Sequence, residues 1–184
     1  MNPRTSATHP LQIATLSTAV GGRIGMTFCP GKRDLAAMTG PWERDLLADL
    51  KVLNEWGATA LVTLMETHEL DQLGVSELGQ ATMSTGMAWF HLPIRDVSIP
   101  DAIFEKAWVT SGQALRERIS NGQGVVVHCR GGLGRTGVIA ARLLIELGEQ
   151  PNRALDMVRS VRPGAVETAQ QEEYVLRLSN SATS

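Results

Sequence analysis

The segment Val125-Val126-Val127-His128-Cys129-Arg130-Gly131-Gly132-Leu133-Gly134-Arg135-Thr136-Gly137 constrains this chain more than any other. Three consecutive valines before His128 read as a strand buried on both faces, which belongs in the middle of a mainly parallel sheet covered by helices. Val138 through Leu147 reads as an apolar helix stopped by Gly148. Between strand and helix lies a turn rich in glycine, whose backbone N–H groups can turn inward around an anion without Cβ clashes. The helix start adds further amides and the positive end of its dipole. Arg135, the sixth residue after Cys129, supplies a planar fork for two oxygens at once. Such a cup suits a tetrahedral oxyanion, and the same groups favour Cys129 as a thiolate facing it. His128 is placed to hold the loop by a hydrogen bond, and the Thr136 hydroxyl to bond the sulfur. The nucleotide-loop pattern Gly-x-x-x-x-Gly-Lys-Ser/Thr is missing, and no Gly-x-Gly-x-x-Gly opens immediately after the strand.

Strands are expected over Leu11–Leu16, Arg23–Phe28, Ala58–Met65, Ala88–Leu92 and Val125–His128. Helices are expected from Pro41, in a first turn, to Trp56 before Gly57, then from Asp101 to Ile119, Val138 to Leu147, Asn152 to Val161, and Thr168 to Leu178. Residues 66–87 fit two short helical pieces separated by Gly74 and Gly79. Strand and helix alternation predicts one α/β domain over residues 10–180, with a central mainly parallel sheet flanked by helices and short flexible termini, MNPRTSATHP and SNSATS.

With 184 residues, 43% of them hydrophobic, the chain can bury one sizeable core. Its 17 Lys+Arg against 19 Asp+Glu leave a formal charge of -2, which gives no general attraction for nucleic acid or an anionic membrane surface. No apolar run approaches the roughly 20 residues that span a bilayer, so no integral membrane association is expected. The polar opening, broken by Pro3 and Pro10, lacks the apolar core of a secretory signal. Two cysteines, Cys29 and Cys129, make no disulfide framework, and a reducing, cytoplasmic setting follows. His9, His68 and His91 have no metal-ligand spacing, so neither metal nor cofactor is expected. Lys32-Arg33 and Arg95 either flank a phosphorylated substrate or form solvated surface.

An attack by Cys129 on phosphorus leaves an alkoxide or phenoxide that needs a proton. Asp96, in Leu92-Pro93-Ile94-Arg95-Asp96 after an expected strand, is the favoured acid. Asp101 is its rival, although Pro100-Asp101 reads as a helix entry.

The run His128 to Gly137 resembles the signature loop of the cysteine-based protein-tyrosine phosphatase superfamily, with Cys-x5-Arg-Ser/Thr in full. The short chain resembles its compact dual-specificity branch. Ile24-Gly25-Met26-Thr27-Phe28-Cys29-Pro30-Gly31, Leu92-Pro93-Ile94-Arg95-Asp96 and the loop are similar to the cyclin-dependent kinase inhibitor 3 (kinase-associated phosphatase) group. The resemblance implies hydrolysis of phosphotyrosine, and also of phosphoserine or phosphothreonine, in a protein or peptide through a cysteinyl phosphate. Cys129 is then the nucleophile and Asp96 the acid and later the base. Arg130, Gly131, Gly132, Leu133, Gly134 and Arg135 bind the phosphoryl group, and Thr136 helps the thiolate leave. Gln171 and Glu167 match positions that shape the pocket or position water.

Three alternatives stand beside this reading. A phosphoinositide or small-molecule phosphomonoesterase would use the same phosphocysteine chemistry. A rhodanese-like sulfurtransferase also holds a cysteine in an anion loop, but has no call for Asp96 or Arg135-Thr136. A catalytically inactive phosphopeptide-binding protein would bind phosphate compounds without hydrolysing them. The sequence specifies neither the physiological substrate nor an oligomeric state.

Overall fold

The computed structural model describes residues 2–178. In chain order its elements are β1 (Ala14–Ser17), β2 (Arg23–Phe28), β3 (Arg33–Asp34), β4 (Trp42–Glu43), α1 (Leu46–Trp56), β5 (Ala58–Thr63), α2 (Thr67–Gln72) and α3 (Leu78–Ser84). β6 (Ala88–His91), α4 (Ala102–Ser120), β7 (Gly124–Cys129), α5 (Gly134–Glu146), α6 (Pro151–Val161) and α7 (Ala169–Arg177) follow. Five strands form one sheet in the order β1-β2-β7-β5-β6, with only β1 antiparallel to its neighbour. This is the single α/β domain with a mainly parallel sheet that the alternation predicts.

Every residue of β7 is buried, as the valine run requires of a strand covered on both faces. It is central, with β2 on one side and β5 on the other. α5 packs on β7 and β2, α4 on β7, and α6 on β1. A second group consists of α1 against β5 and α3 against β6. The order of strands delivers Phe28, Cys129 and Thr63 to one end of the sheet, where their strands finish together.

Helix starts differ from the sequence reading where a cap overrides propensity. Pro41 does not open α1; it leads into β4, and the helix begins after Asp45, whose carboxylate accepts from the Ala48 amide at 2.7 Å. α5 begins at Gly134 rather than Val138, because the Gly137 N–H already bonds the Leu133 carbonyl at 2.8 Å. Arg135 and Thr136 therefore stand in its first turn. Asp101 caps α4 through the Phe104 amide at 2.8 Å, the helix-entry role that its sequence context suggests.

The opening segment, expected to be loose, is tied down. Arg4 exchanges backbone bonds with Pro41 and Glu43, and the Ser6 hydroxyl accepts from the Asp45 amide. The closing SNSATS, expected as a flexible tail, lies outside the described residues.

Between β2 and α1 the chain is anchored by a fully buried ion pair. Arg44 donates to both carboxylate oxygens of Asp49 at 2.7 Å, and Asp49 also accepts from the Gly31 amide at 2.8 Å. Asp49→Ala leaves a buried guanidinium without its counter-ion, so unfolding stability should fall by about 3–5 kcal/mol. Urea denaturation measures this; a loss below about 1 kcal/mol, the range of an exposed pair, contradicts it.

Candidate active site

Cys129 ends β7, 4% exposed, at the floor of a cleft of about 760 Å³. One residue earlier, the His128 side chain turns away from the cleft and bonds Thr63 of β5, with Nε2 2.7 Å from the hydroxyl. Burial pushes His128 down to about 3, so the ring is neutral at physiological pH and pins β7 to β5 beneath the loop.

The loop closes tightly over β2. Gly132 has φ of 69°, and a Cβ there would stand 2.4 Å from the backbone of Thr27. Only glycine fits such a position. Arg162, at the end of α6, donates from Nε to the Gly132 carbonyl at 3.2 Å and from Nη2 to the Gly131 carbonyl at 3.0 Å. It thereby engages two oxygens that would repel an anion.

Arg135 is held by groups far away in the chain. Its two terminal nitrogens meet the two oxygens of Glu69 on α2 at 2.6 and 2.9 Å, and Nη1 also donates to the Ile94 carbonyl at 3.0 Å. Glu69 is 3% exposed. Burial alone would raise its pKa, but the bonds from Arg135 and from the Glu66 amide outweigh that and hold it below the usual carboxylate value. Asp96 sits at the rim, with Oδ1 2.9 Å from Arg135 Nη2. A single guanidinium thus joins a buried carboxylate behind it to an exposed one at the entrance.

The Asp96 loop is itself fixed. Val97 has φ of 58°, an uncommon conformation for a β-branched residue, and its amide bonds Asp96 Oδ1 at 3.0 Å. The Ser98 carbonyl accepts from the Gln171 side chain at 3.1 Å. Gln171 Oε1 accepts from the Glu167 amide at 3.0 Å, and the Gln171 amide bonds the Thr168 hydroxyl in the capping box of α7. Both ends of the Gln171 amide are occupied, so it ties the Asp96 loop to α7 instead of presenting a group to water in the cleft. Glu167 is exposed and lines the cleft; a Cβ at Gly134 would stand 2.3 Å from its carboxylate.

Thr136 Oγ1 is buried and has no hydrogen-bond partner among the described residues, so the bond to sulfur expected from the sequence is not formed here. Arg130 leans outward and pairs with Asp34 at 2.8 Å. Among the described residues no group of three His, Cys, Asp or Glu side chains is arranged to hold a metal ion.

The structure therefore brings Cys129, Arg135, Asp96 and the loop residues into one cleft, with His128 and Gln171 as ties behind it. Sequence reading did not single out Glu69 or give Arg162 a task. A cysteine at the end of a central parallel strand, followed by a glycine loop, a helix start and an arginine, is the arrangement of the cysteine-based phosphatases.

The family described as "Tc-R-P: Polymorphic toxin system, DSP-PTPase phosphatase" matches residues 36–149. This chain belongs to that family of DSP-PTPase phosphatases. It is 30% identical to cyclin-dependent kinase inhibitor 3 of Rattus norvegicus over 135 residues, which cover 72% of this chain and 62% of the relative. For the same protein of Homo sapiens the identity is 29% over equal spans. The chain thus spans less than two thirds of the length of these curated relatives. A crystal structure of kinase associated phosphatase, with serine in place of its catalytic-site cysteine, matches with a TM-score of 0.79 at 27% identity, covering 90% of this chain and 92% of that one. Tk-PTP in its active form matches at 0.62 and 27%, covering 86% and 92%.

Proposed function

We propose that this protein hydrolyses phosphorylated proteins or peptides, at phosphotyrosine and also at phosphoserine or phosphothreonine, through a cysteinyl phosphate on Cys129. The observation that carries the reading is the Glu69–Arg135–Asp96 chain over the Cys129 loop. It braces the Arg135 guanidinium from behind and brings the Asp96 carboxylate to the same guanidinium at the cleft entrance, which supports Arg135 as the phosphate fork and Asp96 as the acid.

In the first step Cys129 Sγ forms a bond to phosphorus, the phosphorus–oxygen ester bond breaks, and Asp96 gives its proton to the leaving oxygen. Arg135 and the amides of the loop and of the α5 start stabilise the transferring oxygens. In the second step water attacks phosphorus, the Asp96 carboxylate takes its proton, and the phosphorus–sulfur bond breaks. The unpartnered Thr136 hydroxyl is available to donate to the returning thiolate. Arg162 keeps the carbonyls of Gly131 and Gly132 occupied while the anion is bound. Glu69 is a positioning residue, acting through Arg135. Phosphoserine and phosphothreonine are included because the rim is built from short segments, around 34–39 and 96–97, rather than from long insertions.

A cytoplasmic setting belongs to this proposal. It is supported by two free cysteines among the described residues and by the absence there of any helix long and apolar enough to cross a membrane.

Asp96→Asn tests the reading. With a phosphotyrosine peptide, whose leaving group needs the proton, kcat/KM, which reports the step that forms the cysteinyl phosphate, should fall by about 10²–10⁴-fold. With an activated aryl phosphate the loss in kcat/KM should be far smaller. Equal losses across leaving groups of widely different acidity contradict the assignment. Asp101→Asn, altered at the cap of α4, should keep nearly full activity.

A further inference from the structure

Lys32 is a cation in the cleft that the reaction does not use. The sequence offers it as solvated surface or as a flank to the substrate; it is 7% exposed. Its ammonium lies 4.3 Å from the Trp42 ring centroid and 4.7 Å from that of Phe28, and it lines the same cleft as Cys129. The arginines around this cleft are engaged. Arg130 pairs with Asp34, Arg135 with Glu69 and Asp96, and Arg162 bonds two carbonyls. Lys32 Nζ alone among these has no hydrogen bond or ion pair among the described residues. Burying an ammonium without a counter-ion is unfavourable, and two aromatic faces offset only part of that cost. An anion arriving from the cleft would complete the site.

We propose that Lys32, seated against Phe28 and Trp42, receives an acidic side chain adjacent to the phosphorylated residue of a peptide substrate. The proposal rests on the phosphatase reading above and adds sequence preference to it. One unpaired cation suits one isolated carboxylate. A polyphosphorylated headgroup would also meet Asp34, Asp96 and Glu167, which line the cleft with like charge. Ala36, Ala37 and Met38 form an apolar lip beside the subsite, against which a peptide can lie.

The test compares a phosphotyrosine peptide with alanine flanks and a set in which one glutamate occupies each neighbouring position in turn. The readout is the ratio of kcat/KM for the best glutamate peptide to that for the alanine peptide. In the wild type this ratio should be about tenfold or more, carried mainly by KM, as a hydrogen bond between two charged groups supplies. Lys32→Met keeps an unbranched stem against the rings and removes the charge, so its ratio should fall to unity. Lys51→Met, on the exposed face of α1, should retain the wild-type ratio.

A second readout needs no variant. Burial pushes Lys32 down to about 8, with Cys29, Asp34, Arg44 and Arg130 as the titratable and charged groups around it. The wild-type ratio should therefore decline as pH rises through that value, while glutamate stays ionised. A wild-type ratio near unity, a ratio retained by Lys32→Met, or one flat across that pH range overturns the subsite. Preferential turnover of a phosphoinositide over every peptide overturns it as well. If the wild type turns over none of the phosphate esters, the phosphatase reading itself fails, an outcome distinct from turnover without preference.

Discussion

Cys129→Ser should fold like the wild type and lose phosphatase turnover by on the order of 10⁴-fold or more, the scale seen when a nucleophile is removed from an intact site. The exchange is nearly isosteric at a position 4% exposed, so packing at the end of β7 is kept. A serine hydroxyl remains protonated near neutral pH and is a far weaker nucleophile than a thiolate. The remaining thiol cannot substitute. Burial pushes Cys29 well above the ordinary thiol value, and it stands fully buried beyond the end of β2. Phosphate binding should survive, because the loop amides and Arg135 are untouched. Steady-state kinetics with an aryl phosphate, circular dichroism and phosphate titration together check this. Turnover by purified Cys129→Ser within about tenfold of the wild type, a difference of only about 1.4 kcal/mol in barrier, contradicts the assigned nucleophile.

Arg135→Lys should lower kcat by about 10²–10³-fold, the usual cost of removing a donor aimed at transition-state charge. The charge is kept but the geometry is not. Arg135 uses two parallel bonds to Glu69 to fix the plane of its guanidinium, and one ammonium cannot hold Glu69, Ile94 and a phosphoryl oxygen in the same orientation. Glu69→Gln should produce a smaller loss, mostly in kcat, because the guanidinium remains but its anchor now carries an amide that opposes it. Arg135→Lys also leaves a buried carboxylate partly unsatisfied, which should cost about 1–3 kcal/mol of stability. The pH dependence has a defined sign. Glu69 titrates below its ordinary value, so its share of stability is full above the unfolded pKa and is lost as pH falls through the folded one. In Arg135→Lys that acid-side loss should shrink. Unchanged kcat/KM in Arg135→Lys would show that the fork does not grip the transferring group.

The geometry of the loop after β7 was legible because its parts are contiguous: strand, cysteine, glycines, helix start and arginine follow one another without interruption. Asp96 was legible from its place after an expected strand. Glu69 was not, because its task comes from a bond across 66 residues, and its surroundings, His68-Glu69-Leu70, carry only a short helical pattern. Arg162 is similar; its partners at Gly131 and Gly132 depend on where α6 ends, which local periodicity does not specify. The two-residue strands β3 and β4 are too short for alternation to register. Lys32 shows the opposite limit. A lysine beside arginine and aspartate reads as solvated surface, yet Phe28 and Trp42 come from separate strands and enclose it. Gln171 lies in the last expected helix, but its bond to Ser98 joins that helix to the acid loop only once the domain is closed.

The central claim is that phosphate leaves the substrate by way of the Cys129 sulfur. Asp96→Asn slows breakdown of that intermediate, since the base that activates water is gone. An activated aryl phosphate still loads the enzyme, because its leaving group needs little help. Rapid acid quenching of this variant during turnover, followed by mass spectrometry of the peptide that contains Cys129, reads the intermediate directly. The expected result is a phosphoryl adduct on Cys129 that accumulates in one burst and is missing from Cys129→Ser. Sustained turnover with no adduct on Cys129, or an adduct on a different residue, would contradict the mechanism.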